Sequence, residues 1–344
     1  MEQVLAQAPT RVKLEPTDAS AIEVMDLKKA FGSFVAVNGI SFKVRKGEVF
    51  GFLGPNGSGK TTVIRMILGL LTPTSGQGRV LGLDVGTDSR RLRDKVGYMS
   101  QKFSLYEELT VTENLDFYAG IYDLSKEKRD QKKREILNLA GMTGKENTIV
   151  SNLSGGWKQR LALGCSIIHD PQILLLDEPT GGVDPIARRQ FWDIIYELSK
   201  AGVTILVTTH YMDEAEHCNT IGFLYYGNIL AMDAPKQLKE TAIDGTILEI
   251  RADQTLKAIE CLNQHPLVKN ASVYGSGIHV LVDPETDPDE VMKFLADQRI
   301  RVERLRVAAP SLEDVFVYLV ERERGKTKQL NRLKPAIKAT GAEQ

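Results

Sequence analysis

Residues 54–62 read GPNGSGKTT, and their types and spacing suit the binding of phosphate groups. The pattern fits G-x-x-x-x-G-K-[ST], and it lies between a short apolar run and a helical pattern of apolar residues over residues 62–71. Glycines let the backbone turn its N–H groups toward an anion, a lysine adds positive charge, and a threonine hydroxyl can bind Mg²⁺. The residues predicted to bind phosphate are Gly54, Pro55, Asn56, Gly57, Ser58, Gly59, Lys60, Thr61 and Thr62.

Two acids follow a second apolar run. Residues 172–176 (QILLL) predict a buried strand that ends at Asp177 and Glu178. Because side chains alternate along an extended chain, the two carboxylates should point to opposite sides. One can hold Mg²⁺, and the other can act as general base on an attacking water. The alternative is two solvated acids in a turn, and the buried strand before them argues against it.

Gln101 and His210 stand where two further predicted strands end, after residues 95–100 and 203–209. Open α/β sheets place ligand chemistry at the carboxyl ends of their strands. A glutamine at such an end is a weak signal, and a lone histidine is usually structural. Because His210 follows a phosphate loop and a strand with paired acids, we expect it to contact phosphate.

A second turn suited to anions begins at Ser154. This serine is a good N-cap, and Gly155 and Gly156 leave backbone N–H groups open at a helix start. The turn could serve the same phosphate as the first loop or a different one.

Phe31 lies on a turn between two predicted strands, residues 22–27 and 35–44. An aromatic ring ahead of a nucleotide-binding strand could stack on adenine, since a flat ring supplies contact area at low entropy cost. A core aromatic is the alternative, and spacing alone does not decide between the two.

The composition is that of an ordinary globular protein. The 344 residues are 42% hydrophobic and 26% charged, with a formal net charge of −1. This balance argues against bulk nucleic-acid binding, and the charged run over residues 126–134 reads as a solvated helix face because acids are interleaved with the bases. The sequence contains no run of ~18 apolar residues, so it predicts no membrane span. The scattered cysteines, Cys165, Cys218 and Cys261, predict buried thiols rather than disulfides or metal ligands.

The predicted fold is α/β with a smaller second domain. We expect a mobile extension over residues 1–20, a core over residues 21–240 with a helical insertion at about residues 103–165, and a flexible tail over residues 325–344. Residues 241–324 form the accessory domain, whose β-α-β-β-α-β order suggests a ferredoxin-like α+β module. Its first helix should carry Leu256, Ile259 and Leu262 on one face, and a terminal helix follows with an apolar stripe at Leu312, Val315, Phe316 and Leu319.

These residues together resemble the ATP-binding cassette (ABC) ATPase family, a group of P-loop NTPases, over about residues 21–240. The motifs stand in the family's order: Phe31 at the adenine-stacking position, GPNGSGKT as Walker A, Gln101 as the Q-loop glutamine, LSGGWKQR (residues 153–160) as the signature, ILLLDE (residues 173–178) as Walker B, Asp184 in the D-loop, and His210 as the switch histidine.

The resemblance implies ATP and Mg²⁺ as cofactors and a head-to-tail dimer or pseudo-dimer with two ATPs at its interface. Each ATP would lie between the Walker motifs of one copy and the signature of the other, with Asp184 in the same ATP site. Glu178 would be the general base, and His210 would contact the γ-phosphate. The expected metal ligands are Thr61, Gln101 and Asp177.

Three residues depart from the family pattern. Phe31 stands where tyrosine is frequent, so stacking survives without the hydroxyl. Trp157 replaces the usual glutamine of the signature, although the serine and the glycine pair remain. Gly182 occupies a D-loop position often filled by serine or alanine. Since no catalytic group is lost, we expect two active sites in the dimer.

LEDVFVYL (residues 312–319), after such a module, resembles the C-terminal region of ABC-2-type exporter ATPases, the drug-resistance group that includes daunorubicin-type pumps. The resemblance implies an ATPase subunit that powers efflux of drugs or lipophilic compounds through a separate permease. The chain would then lie in the cytoplasm, peripherally on the inner membrane, with no nucleic-acid partner. The alternatives are the ATPase of an importer and a soluble ABC ATPase of translation or DNA repair.

Overall fold

The computed structural model describes residues 20–102 and 104–325. The predicted mobile extension before Ser20, the predicted tail after Gly325, and Phe103 lie outside the described residues. Within these ranges, no helix combines the length and the apolar character that crossing a bilayer requires.

The described residues up to position 240 form two sheets. The antiparallel sheet has the order β2-β1-β4-β5, and the larger sheet has the order β10-β9-β3-β8-β7-β6, in which β10 alone runs antiparallel to its neighbour. Their strands are β1 (Ser20–Phe31), β2 (Phe34–Arg45), β3 (Val49–Leu53), β4 (Ser75–Val80), β5 (Leu83–Asp84), β6 (Val96–Met99), β7 (Ile173–Asp177), β8 (Thr204–Thr209), β9 (Thr220–Tyr225) and β10 (Asn228–Asp233).

The three central strands β3, β8 and β7 are buried along their whole length. Helices cover both faces of a parallel sheet, so such strands read as continuous apolar runs, as VFGFL and ILLLD do here. Their carboxyl ends meet at one edge of the sheet. The predicted phosphate loop, the paired acids and His210 all follow these ends.

The helices of this part include those of the predicted helical insertion, α3 to α5. The α3 helix starts with the predicted capping box, in which Thr110 and Glu113 bond each other's backbone N–H. The α4 and α5 helices pack so closely that a Cβ on Gly164 would lie 2.5 Å from Ile136. The helices are α1 (Lys60–Ile67), α2 (Ser89–Arg93), α3 (Val111–Ile121), α4 (Lys126–Leu139), α5 (Gly155–Ile167), α6 (Pro185–Lys200), α7 (Met212–Ala215) and α8 (Pro235–Thr241).

The α1 helix ends earlier than its apolar pattern suggests. The pattern continues to Leu71, but Gly69 adopts a left-handed φ of 66°, which ends the helix after Ile67. Leu70 remains exposed, while Ile67 and Leu68 are buried in the core.

The C-terminal module has the predicted β-α-β-β-α-β order and an antiparallel sheet with the order β12-β13-β11-β14, as in a ferredoxin-like fold. Of the three apolar residues predicted on one face of its first helix, Leu256 is 73% exposed, and Ala258 fills the buried face with Leu262. The elements are β11 (Thr246–Ala252), α9 (Thr255–Leu262), β12 (Val268–Tyr274), β13 (Gly277–Val282), α10 (Pro288–Asp297) and β14 (Val302–Ala308).

The terminal helix, α11 (residues 312–325), packs against the core of the first 240 residues. Leu312, Val315 and Leu319 are buried in that core, and the Phe316 ring lies 5.5 Å from the ring of Phe223 on β9. The predicted apolar stripe is therefore correct, and the surface that it covers belongs to the larger part of the chain.

A buried contact between His279 and Asp314 joins this helix to the module. His279 Nδ1 on β13 lies 2.9 Å from Asp314 Oδ2, and both side chains are almost inaccessible to solvent. Burial disfavours the Asp314 carboxylate, but hydrogen bonds from His279 and Ser311 outweigh it and hold the pKa of Asp314 below its ordinary value. The sheet of the module is thus fixed to the first turn of α11.

If α11 completes the core, Leu312→Ala should lower the free energy of unfolding by about 2–5 kcal/mol, because a buried leucine leaves a cavity when it is truncated. Leu256→Ala is the matched control, and its exposed side chain should change stability by no more than about 0.5 kcal/mol. Urea unfolding followed by circular dichroism measures both. Equal effects of the two substitutions would contradict the packing described for α11.

Candidate functional site

The phosphate loop follows β3 and depends on glycines at two close approaches. A Cβ on Gly54 would lie 2.1 Å from the carbonyl oxygen of Leu224, and one on Gly59 would lie 2.5 Å from that of Ala36. Gly59 also has a φ of 109°, which L-residues avoid. It forms the N-cap of α1, so the positive end of this helix points into the loop.

Lys60 is buried in the first turn of α1 and held at three points. Its Nζ donates to the carbonyl oxygens of Gly54 (2.7 Å) and Pro55 (3.1 Å), and it lies 3.1 Å from Oε1 of Glu178. These contacts place one positive charge at the centre of the loop.

The carboxylate of Glu178 is contacted by the predicted site residues Lys60, Gln101 and His210. Its Oε2 accepts a hydrogen bond from Gln101 Nε2 at 3.1 Å and lies 3.3 Å from His210 Nδ1, without hydrogen-bond alignment. Its φ is 49°, an uncommon conformation for a residue with a side chain, and its N–H donates to the carbonyl oxygen of Thr208. Such backbone strain is typical of functional sites.

Asp177 lies at the end of β7 and contacts Thr61, which follows the glycines of the phosphate loop. Its Oδ1 accepts hydrogen bonds from Thr208 Oγ1 (2.7 Å) and Thr61 Oγ1 (3.1 Å). A carboxylate oxygen and a hydroxyl oxygen at this separation are ligand types that Mg²⁺ prefers. These two oxygens fit the predicted metal, whereas Gln101, the third predicted ligand, bonds the Glu178 carboxylate instead.

The signature turn and Asp184 form a second group, which is joined through the first turn of α6. Ser154 is the N-cap of α5, as predicted, but its side chain makes no capping hydrogen bond. Gly156 packs against Ala187 of α6, where a Cβ on the glycine would lie 2.6 Å from that of the alanine. Asp184 caps α6 by accepting hydrogen bonds from the N–H groups of Ile186 and Ala187.

Phe31 ends β1 and is 49% exposed, with the ammonium of Lys29 5.2 Å from its ring centre. The alternative of a core aromatic is therefore wrong. An exposed ring is free to stack on a planar ligand, and its contact with adenine stays a prediction.

The structure gives physical reasons for two residues that depart from the family pattern, Gly182 and Trp157. Gly182 has a φ of 74°, where serine or alanine would be strained. Trp157 lies between two cations, with the guanidinium carbon of Arg160 3.8 Å and the ammonium of Lys145 4.9 Å from the ring centre.

Glu214, a fully buried acid on α7, is not among the site residues predicted from the sequence. Burial raises the pKa of Glu214 to about 7, while Thr209 and Arg188 partly oppose this shift and Asp213 and Glu178 add to it. The sequence gives no signal for this residue, because α7 is too short for an apolar period to show which of its sides faces the core.

A phosphate loop, paired acids and a parallel sheet that brings them together define a P-loop nucleotide-binding protein. The family model described as ABC transporter matches residues 37–181, and the model for the C-terminal domain of DrrA1-3-like ATP-binding proteins matches residues 234–320.

Similar proteins of known sequence are also described as ATP-binding proteins of ABC transporters or of export systems. The probable multidrug ABC transporter ATP-binding protein YbhF of Escherichia coli is 48% identical over 220 residues, 64% of this chain, and the match spans 38% of the length of YbhF. The Nod factor export ATP-binding protein I of a Rhizobium species is 39% identical over 304 residues, 88% of this chain and 98% of that protein. This chain belongs to the ABC transporter ATP-binding protein family.

A solved structure supports the fold of the first 240 residues. It is a dimeric ATP-binding cassette in a post-hydrolysis state, bound to ADP and Pi, with 27% identity to this chain and a TM-score of 0.57. The similarity covers 62% of this chain and 98% of that cassette.

The raised pKa of Glu214 predicts a pH-dependent stability that Glu214→Gln removes. The folded protein holds this proton where the unfolded chain releases it, so the stabilisation is complete below the unfolded pKa and is lost as pH rises through about 7. Between about pH 5 and about pH 8, the stability of Glu214→Gln should therefore rise relative to that of the parent protein.

Thermal unfolding in buffers across this range measures the trend, with Glu240→Gln as a control because its side chain is exposed. A constant difference between Glu214→Gln and the parent protein would rule out the raised pKa.

Proposed function

We propose that this chain is the ATP-binding and ATP-hydrolysing subunit of an ABC exporter with a separate membrane permease. The observation that carries the proposal is the convergence of Lys60, Gln101 and His210 on the carboxylate of Glu178. The match of residues 234–320 to the DrrA1-3-like C-terminal domain, and relatives described as multidrug and Nod factor export proteins, favour export over import.

The residues divide the work of hydrolysis between them. The phosphate loop and Lys60 bind the phosphates of ATP, and Glu178 takes the proton from the attacking water. His210, whose Nδ1 lies 3.3 Å from the Glu178 carboxylate, would contact the γ-phosphate. Thr61, Asp177 and Gln101 would hold Mg²⁺, which when bound neutralises charge on the phosphates.

The two separate groups of site residues support a head-to-tail dimer. Ser154 is the N-cap of α5, Gly155 and Gly156 begin this helix, and Gly156 packs against Ala187 of α6, the helix that Asp184 caps. In a second copy, this turn and Asp184 would complete the ATP site. ATP would close the dimer and hydrolysis would reopen it.

The segment that follows Gln101 leads from the side chains around Glu178 to the helical insertion. The buried side chain of Asn114 on α3 bonds both the N–H and the carbonyl of Tyr106, each at 2.9 Å. Lys158, on the signature helix, lies 2.7 Å from Glu107. This attachment supports a role in passing the motion of the dimer to a permease, which would place the chain on the cytoplasmic face of the inner membrane.

Two substitutions should separate binding from hydrolysis. Glu178→Gln should lower steady-state phosphate release by about 10²–10⁴-fold while ATP still binds, since the general base is lost and the phosphate loop is intact. Lys60→Ala should instead weaken ATP binding by at least about tenfold, because a charge-assisted contact is removed. Phosphate release and equilibrium binding of a fluorescent ATP analogue measure the two effects.

Glu240→Gln and Lys236→Ala are the matched controls at exposed positions. Size-exclusion chromatography with ATP should show a stable dimer for Glu178→Gln. Unchanged hydrolysis in this variant would remove Glu178 from the role of base.

A pull-down from detergent-solubilised membranes tests the transport assignment, with the Glu178→Gln chain and ATP as bait. Recovery of a polytopic permease supports export, and co-purification of a binding protein with it would indicate an importer instead. Recovery of ribosomes or DNA-repair proteins without a membrane protein would contradict transport and leave the ATPase assignment intact.

A further inference from the structure

Arg188 lies in the first turn of α6 and contacts three residues in the segment that follows His210. Its Nη1 lies 2.9 Å from Asp213 Oδ2, and its Nε lies 3.4 Å from Glu214 Oε1. Its guanidinium carbon lies 4.2 Å from the ring centre of Tyr211. Arg188 lies on α6, which we call the D-loop helix because it follows Asp184. Its side chain therefore holds residues 210–214, which we call the switch segment, by charge and by ring contact.

Tyr211 carries these contacts to His210. The two rings lie 4.1 Å apart, and the N–H of Tyr211 donates to the hydroxyl of Thr209 at 3.0 Å. His210 in turn lies 3.3 Å from the Glu178 carboxylate. The orientation of the imidazole thus depends on a neighbour whose ring rests on the guanidinium of Arg188.

The buried carboxyl of Glu214 gives Arg188 a second point of attachment. Burying a carboxyl is costly unless a cation compensates it, and Arg188 lies at ion-pair distance. The other charged or polar groups near this carboxyl include Asp213 on the same helix, Thr209 at the end of β8, Glu178 after β7 and the buried thiol of Cys218. Loss of Arg188 would leave α7 without its cation and release the segment that begins at His210.

The other side of the same helix turn contacts the signature helix. Ala187, next to Arg188, packs against Gly156, and Asp184 caps the turn. The first turn of α6 therefore contacts the signature helix through one residue and the switch segment through the next.

We propose that Arg188 is a positioning residue for His210, which ties the orientation of the switch histidine to the first turn of the D-loop helix. The inference rests on the proposed function in one respect, because the effect on turnover assumes that His210 acts on ATP.

The kinetic test compares Arg188→Ala with Arg189→Ala, the neighbouring arginine on the exposed face of α6. Arg188→Ala should lower kcat by about 10–100-fold with little change in KM for ATP, since the loss concerns orientation rather than binding. Arg189→Ala should match the parent protein. Arg188→Lys should restore part of kcat, because an ammonium can pair with Asp213 but cannot lie flat on Tyr211.

A double-mutant cycle shows whether Arg188 acts through His210. In a His210→Ala background, adding Arg188→Ala should lower the residual single-turnover rate by less than about twofold. A further loss as large as in the parent background would mean that Arg188 acts elsewhere, and would overturn the proposal.

A readout independent of turnover separates this inference from the proposed function. With ¹³C-labelled histidine, the His210 signal is identified by its absence in His210→Ala. It should move in Arg188→Ala and stay in place in Arg189→Ala. An unmoved signal in Arg188→Ala, with the remaining histidine signals showing a folded chain, would overturn the proposal. A moved signal in a chain without ATPase activity would uphold the positioning role and contradict the proposed function.

Discussion

The buried contact between the Lys60 ammonium and the Glu178 carboxylate constrains the arrangement of the whole core. Charges are costly to bury unless they are paired, so the loop after β3 and the end of β7 must arrive at the same point. The sheet achieves this by placing β8 between the two strands, all three running in the same direction. β8 also supplies Thr208, whose hydroxyl bonds Asp177 and whose carbonyl holds the backbone of Glu178.

Features encoded by contiguous residues could be predicted from the sequence. The phosphate loop, the buried strands before it and before Asp177, and the Thr110–Glu113 capping box each depend on neighbours within a few positions. The convergence of Gln101, Glu178 and His210 was also accessible, because parallel strands end at a common edge. For these residues, a local pattern together with one topological rule places the side chain.

Features that depend on packing between distant segments could not be predicted from the sequence in this way. Leu256 and Leu262 both fit a helical apolar pattern, and only the position of the module's sheet decides which of them is buried. Asp184 fits a nucleotide contact by motif, yet its carboxylate caps α6 in the structure. Glu214 looks like an ordinary surface acid until α7 is placed on β8, where burial changes its chemistry.

The terminal helix shows that the C-terminal region is structurally tied to the phosphate loop. Phe316 on α11 packs on Phe223 of β9, and the next residue of β9, Leu224, has the carbonyl oxygen that excludes any side chain at Gly54. A displacement of β9 would therefore move the backbone wall of the loop that binds phosphate. Because His279 and Asp314 fix the same helix to the module, α11 connects the module to the strand beside the phosphate loop. The packing of the C-terminal region therefore extends, through α11 and β9, to the backbone that surrounds Gly54.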